Sequence, residues 1–386
     1  MKRIVPSTRG MLVVSLLALG SGRAGAQGTA RVLDLDPSAI SVGMGGAGAA
    51  MWWSAEPNYW ANPALLGYYQ GVRFQGSYSQ LLPELASDIR YDTKRWTLGG
   101  GGVGLEISGR SKLSYGVSNG TDPMGNPTGP FESYEQVKAT GFGVSLGRVA
   151  DAIASASGHP LPAALRWVDV AGGWASKPTD VSPFPGDVAS ATPKDYGFLF
   201  ALGGAVGDPS GPRLVIAGSY SHSERNYDRT TFYFPLEDMA VLPERMIIDG
   251  GAARIGVEKR LDQGTSGFAA VMLRGLDPLV AVDWAYDHTQ DKDRVDYAFW
   301  GSGFQISALN VISVRFGNFT DVLGGIDGGT RGIGVALPVG DFGGARFDYG
   351  TTPLASGTGL SDEVRRSYSF WIDPNAIWRA AHRATP

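Results

Sequence analysis

Val280-Ala281-Val282-Asp283-Trp284-Ala285-Tyr286 alternates large apolar side chains with small or charged ones. Successive side chains of a β-strand point to opposite faces, so this stretch reads as a strand with one apolar face and one face of alanine and aspartate. The same period of two recurs on both sides of it. Toward the C-terminus, Ile312, Val314 and Phe316 alternate with Ser313, Arg315 and Gly317. Ile333, Val335 and Leu337 alternate with Gly332, Gly334 and Ala336, and Ala345, Phe347 and Tyr349 with Arg346 and Asp348. Toward the N-terminus, Ala253, Ile255 and Val257 alternate with Arg254, Gly256 and Glu258, and Phe198, Phe200 and Leu202 with Gly197, Leu199 and Ala201. Thr140, Phe142, Val144 and Leu146 alternate with Gly141, Gly143, Ser145 and Gly147, Val103, Leu105 and Ile107 with Gly104 and Glu106, and Val72, Phe74 and Tyr78 with Arg73, Gln75 and Ser77. A soluble β-sandwich also alternates, so the pattern alone leaves both architectures open. Repetition from Gly71 to Ile372 is long for one sandwich and favours a transmembrane antiparallel β-barrel, apolar outside and polar inside.

Connections and strand parity agree with a barrel. Short turns are expected near Ser111, Asp208-Pro209-Ser210-Gly211, Ala308-Leu309-Asn310 and Gly340-Asp341. Longer polar loops are expected at 79–94, 119–132, 177–194, 223–248, 320–330 and 351–364, with 149–163 a long connection where a short one is due. Both ends on one side of the membrane require an even strand number, and the segments sum to about 14. Before the strands, residues 27–70 are rich in Gly, Ala and Pro and read as a compact region with short helical pieces. Asn62 is placed to cap a helix that has Pro63 at its first position.

The N-terminus reads as an export signal. Lys2, Arg3 and Arg9 precede the apolar run Met11–Leu19, and Ala24-Gly25-Ala26 is a small-x-small cleavage pattern, so residues 1–26 are expected to be removed. The run is too short for a spanning helix, and an uncleaved anchor is the alternative. Composition narrows the function classes. The 386 residues include 56 glycines and no cysteine, so neither disulfides nor thiol chemistry is available. A net charge of −4 gives no nucleic-acid footprint.

Ser41-Val42-Gly43-Met44-Gly45-Gly46-Ala47 and Asn58-Tyr59-Trp60-Ala61-Asn62-Pro63-Ala64-Leu65-Leu66 resemble the N-terminal signature of PorV/PorQ-type outer-membrane proteins, within the long-chain fatty-acid transporter (FadL) superfamily. Asn310–Gly317, Thr330–Val335 and Arg346–Tyr349 are similar to that family's closing strands. The resemblance implies a 14-stranded barrel, here at 71–372, with an N-terminal hatch, here at 27–70, lying in the lumen; the tail at 373–386 departs from relatives, which usually end on an aromatic residue of the last strand. It implies that Asn62, Pro63 and Ala64 belong to the hatch, although Leu65 stands where many relatives have Gly. It further implies a kinked strand that opens sideways, for which Gly99-Gly100-Gly101-Gly102 is the candidate; a plain bend in the wall is the alternative.

Several motifs lack their context. Gly43-Met44-Gly45-Gly46-Ala47-Gly48 fits G-x-G-x-x-G without the strand before it or the acid after it that a dinucleotide site needs. Gly143-Val144-Ser145-Leu146-Gly147 fits a nucleophile elbow, but its Ser lies in an alternating strand. His159, His222, His288 and His382 are far apart and read as loop residues, and Asp287, Asp291, Asp293 and Asp296 as a solvated acidic loop. No catalytic group, metal site or cofactor is expected. The candidate ligand path is Gly43, Met44, Gly45, Gly46, Trp52, Trp53, Tyr59, Trp60, Asn62, Pro63 and Ala64. The candidate lumen charges are Arg73, Glu106, Arg254, Glu258, Asp283, Arg315, Arg346 and Asp348, since charges on a lipid face are costly near the midplane. The expected activity is binding or passage of fatty-acid-like hydrophobic small molecules across the outer membrane. The alternative is a docking accessory of a protein secretion system. Expected partners are therefore outer-membrane lipid, a hydrophobic ligand or secretion-system proteins.

Overall fold

Sixteen strands occur in the computed structural model, which describes residues 31–383 apart from 83, 122–123, 125, 160, 185–186, 206–211, 225–244, 259–278, 292–297, 310, 323, 341 and 355–359. They are β1 (Gly71–Gln80), β2 (Arg90–Gly100), β3 (Val103–Thr121), β4 (Pro127–Ser145), β5 (Val168–Ser176), β6 (Thr179–Phe184), β7 (Asp187–Ala191) and β8 (Lys194–Ala205). The second half comprises β9 (Pro212–Glu224), β10 (Arg245–Glu258), β11 (Leu279–Asp291), β12 (Ala298–Ala308), β13 (Ile312–Asp321), β14 (Ile326–Val339), β15 (Gly343–Thr352) and β16 (Glu363–Ile372). Every pairing is antiparallel. β1 pairs with β16 from Val72↔Ile372 to Gln80↔Val364, and β3 with β4, so the sheet closes into a ring of 14 strands. β6 and β7 stand outside the ring. They form a hairpin on β4 beyond the end of β5, at Tyr134↔Ser182 through Val137↔Thr179, and lengthen the wall locally.

The start of β1 and the end of β16 share one rim, here the near rim; the opposite rim is the far one. Burial shows which way the wall faces. Along β11, Val280, Val282, Trp284 and Tyr286 are exposed, while Asp283 is 0% exposed. β13, β14 and β15 repeat this, with Phe316, Ile333 and Phe347 outside and Arg315, Arg346 and Asp348 buried. A sandwich in water would have the reverse. The apolar exterior and charged interior are those of an outer-membrane β-barrel. No helix among the described residues is long and apolar enough to cross a membrane.

Several local expectations are corrected. Gly99 and Gly100 end β2, and Gly101 and Gly102, at φ +60° and +89°, form the two-residue turn into β3. Positive φ at both central positions is what a tight hairpin with the native twist needs, so the glycine run is a rim turn and not a mid-strand kink. The irregularity in this region lies instead in β3, where the register with both neighbours shifts between Glu106 and Gly109. Ser111 is no turn: it lies buried within β3, opposite Thr93. The connection at 149–163 is largely helical: a helix over Leu146–Ala156 is followed by a 3-10 turn at Ala163–Trp167. The β13–β14 connection is short, so long loops do not mark every far-rim link. Beyond β16 the tail forms a helix, Pro374–Arg383.

Candidate functional site

Residues 31–70 lie inside the ring. A 3-10 turn (Arg31–Leu33) leads to helix α1 (Ala39–Gly43), where the Ser38 side chain accepts from the Ser41 amide at 3.2 Å. Gly45 and Gly46 follow at φ +77° and +80°, a turn that a side chain would strain. A 3-10 helix (Pro63–Tyr68) starts as its sequence indicates, with Asn62 Oδ1 accepting from the Ala64 amide at 3.0 Å.

This luminal segment rests on glycines of the wall. A methyl group on Gly303 would come 2.6 Å from Met44 Cα, one on Gly317 2.6 Å from the Gly45 nitrogen, and one on Gly143 2.6 Å from the Pro63 oxygen. Gly173 and Gly197 face Pro63 and Asn62 in the same way. The small-residue face of the strands is thus a seat that lets backbone meet backbone.

Polar pins hold the segment. Asp287 Oδ2 accepts from the Gly48 and Ala49 amides at 2.6 and 2.8 Å. Asn62 Nδ2 donates to the Ala49 and Phe198 carbonyls, both at 3.1 Å. Ser221 Oγ donates to the Ala61 carbonyl at 2.7 Å, and Lys177 Nζ to that of Trp60 at 3.0 Å. Glu135 Oε2 accepts from the Val32 amide at 2.8 Å, and Arg73 Nη1 donates to the Ala55 carbonyl at 2.5 Å.

The lumen charges form a chain across neighbouring strands. Arg254 clamps Asp283 with Nε and Nη2 at 2.5 and 3.1 Å. Gln305 donates to Asp283 at 2.9 Å and accepts from Arg315 Nε at 2.6 Å. Arg315 Nη2 lies 2.8 Å from Asp348 Oδ1, and Arg346 holds both Asp348 oxygens at 2.7 and 2.9 Å. Trp53 Nε1 joins at Asp283 (3.0 Å), tying the segment to the chain. Glu106 stands apart, paired with Arg95 at 2.8 Å; the Arg95 guanidinium covers the Tyr59 ring at 4.0 Å. The side chain of Glu258, at the end of β10, lies outside the described residues.

Two cavities flank the segment. The far one, of about 220 Å³, is lined by Leu33, Leu35, Trp60, Phe299 and Phe319, with Arg365 and Asp36 at its polar side. The near one, of about 410 Å³, is lined by Trp52, Trp53, Tyr68 and Tyr69, with Arg73, Arg148 and Arg254. Met44, Ala47, Ala50, Met51, Leu65 and Leu66 pack between them as a buried apolar cluster. The four candidate aromatics are therefore split. Trp52 stacks on Tyr68 (5.0 Å) and meets Trp53 edge-on in the near cavity. Trp60 lines the far one, and Tyr59 is enclosed between them against Tyr69. Burial raises Asp36 and Glu56 above the ordinary carboxylate range, and Asp348 beside Glu56 adds to its rise. Burial likewise pushes Tyr59, Tyr68 and Tyr69 up, so their hydroxyls stay neutral.

Three sequence readings change. Asp287 is not in a solvated loop; it lies within β11, buried, on the luminal face. Asp291 ends that strand, and Asp293 and Asp296 lie outside the described residues. His222 and His288 sit in β9 and β11 rather than in loops; His159 is exposed, and the side chain of His382 lies outside the described residues. No group of three metal-ligating side chains comes together among the described residues. Ser145 does stand at a strand-to-helix junction, where it caps the following helix through the Arg148 amide (3.2 Å). Its Oγ is buried and donates to Asp169 at 2.6 Å, a structural engagement rather than that of a nucleophile. Arg95, Gln305, Lys177 and Asp169 were not singled out in the sequence. For Arg95 the signal was there, since Tyr91, Thr93, Arg95 and Thr97 alternate with Trp96 and Leu98.

No protein-family model matches the sequence, and no curated protein matches it at a significant level. Among solved structures, the toluene transporter TodX of Pseudomonas putida aligns at 10% identity and a TM-score of 0.38, covering 88% of this chain and 98% of that one. The toluene transporter TbuX of Ralstonia pickettii aligns at 11% and 0.38, covering 87% and 98%. A FadL homologue of Pseudomonas aeruginosa aligns at 8% and 0.37, covering 87% and 98%. At these values the barrel rests on its own strand pairings.

Proposed function

We propose that this chain is exported by its N-terminal 26 residues and works in the outer membrane as a hatched barrel for hydrophobic small molecules. The observation that carries this reading is the pair of aromatic-lined cavities on opposite sides of the luminal segment. A small apolar molecule entering at the far rim meets Leu33, Leu35, Trp60, Phe299 and Phe319 and loses contact with water there. Its onward path is blocked by the Met44–Leu66 cluster, so passage requires residues 31–70 to move. The segment is pinned by individually replaceable hydrogen bonds, which suits a hatch better than a fused core.

The test is ligand retention. Detergent-purified protein is extracted and analysed by mass spectrometry, and binding of a fluorescent naphthylamine probe is measured in Trp60→Ala and Phe319→Ala. Removing an aromatic contact worth about 1.5–3 kcal/mol should weaken probe binding about tenfold or more. Unchanged binding in both variants, or a copurifying protein with no retained small molecule, overturns the reading. Trp52→Ala and Trp53→Ala test the near cavity separately: they should slow probe release into vesicles more than they weaken binding.

A further inference from the structure

Two helical pieces at the near rim expose large apolar side chains. The first connects β4 to β5. Helix Leu146–Ala156 continues the outward face of β4, where Phe142 is exposed, with Leu146 (60% exposed) and Ile153 (65%). These two are seven residues apart and share a helix face with Val149 and Ala150. The 3-10 turn at Ala163–Trp167 adds Leu165 and Trp167, also exposed, before the outward-facing Val168 of β5. The second is helix Pro374–Arg383, which follows Phe370 and Ile372 on the outward face of β16. Asp373 caps it through the Asn375 amide (2.9 Å), and its own amide is fixed to the Phe342 carbonyl at 2.8 Å. Ala376 faces inward, while Ile377 and Trp378 (61% exposed) face out.

In water these side chains would be an unexplained liability at six positions. Each patch, however, adjoins the apolar belt of the wall, at Phe142 and Val168 for the first and at Phe370 and Ile372 for the second, so whatever covers that belt reaches the helices as well. A short helix with tryptophan and aliphatic residues on one face, and arginines such as Arg379 and Arg383 in its sequence, fits the plane between acyl chains and headgroups. We propose that these two helices are interfacial anchors, seated in the phospholipid headgroup layer of the leaflet at the near rim, and that they fix the depth of the barrel in the membrane. The occupant is phospholipid, not a second copy of the chain and not another protein.

The absence of cysteine makes the test clean. Ile153→Cys, Trp378→Cys and, as a reference in the belt, Phe316→Cys are each labelled with an environment-sensitive nitrobenzoxadiazole. Each full-length protein is reconstituted into phosphatidylethanolamine–phosphatidylglycerol vesicles. Folding is checked independently by heat-modifiable gel migration. Labels at 153 and 378 should emit as in an apolar medium and be quenched about twofold more by a headgroup-attached quencher than by one near the acyl-chain end, with the order reversed at 316. Water-like emission at 153 and 378, unquenched by either lipid, overturns the proposal. So does self-quenching that grows with protein density in the vesicle, which would mean a second copy covers the patch.

Discussion

Asp287 shows what a single side chain does here. Its carboxylate faces two buried amides of the luminal segment, Gly48 and Ala49. Asp287→Ala leaves both amides without a partner, at about 1–3 kcal/mol each. The expected outcome is a segment that opens more often, read as new conductance events in planar bilayers while the barrel still migrates as folded. The period of two placed Asp283, Arg315, Arg346 and Asp348 on the luminal face directly, because a strand offers a side chain only two directions. It did not place Asp287, because the apolar alternation stops at Tyr286 and the charges beyond resemble a loop. Nor did it reveal that Gln305 links Asp283 to Arg315, since that depends on the register between strands, which local pattern does not encode.

At the scale of elements, hairpin β2–β3 is the clearest case. Its two turn residues both need positive φ, which an L side chain adopts at about 1–2 kcal/mol per residue. Gly102 is also crowded, a methyl there coming 2.5 Å from the Val149 nitrogen. Replacing Gly101 and Gly102 together with Ala should lower the unfolding midpoint and slow barrel formation, and Gly101→Ala alone, where the added methyl meets only Ala152 Cβ at 3.7 Å, should do so less. The check is refolding in detergent followed by gel shift. The strands themselves were legible, and so was the Asn62 cap, because both depend on near neighbours. The helix after β4 was not, because Leu146 and Gly147 continue the alternation of the strand; what turns the chain there is Asp169, accepting from Ser145, the Gly147 amide and Tyr68.

For the whole molecule, the interior is a polar frame with a charged wall and a segment that carries two acids, Glu56 buried and Asp36 half-buried. Glu56 and Asp36 have folded values above their ordinary 4.5 and 3.8, raised mainly by burial. A raised carboxylate favours its neutral form in the fold, so its contribution is complete below the ordinary value and is lost as pH rises through the folded one. Seating of the segment should therefore weaken as pH climbs above 4.5, and Glu56→Gln should flatten that dependence, leaving a smaller slope to which Asp36 contributes. Protease cleavage within residues 31–70, followed over a pH series, checks both points; a slope unchanged by Glu56→Gln removes the assignment. Overall architecture was legible because an inside-out pattern repeated over the whole chain has few other solutions. The two cavities were not, because they depend on how far the segment fills the lumen.

The glycine seat also sets the mechanics of that segment. Interlocked side chains must swing through several rotamers before two surfaces separate, whereas Met44 and Gly45 lie on Gly303 and Gly317 with no knobs between them. Such a contact works as a plain bearing. Sliding is resisted by hydrogen bonds that water can take over one at a time, so the pace of opening should follow hydration of the lumen more closely than the tightness of packing.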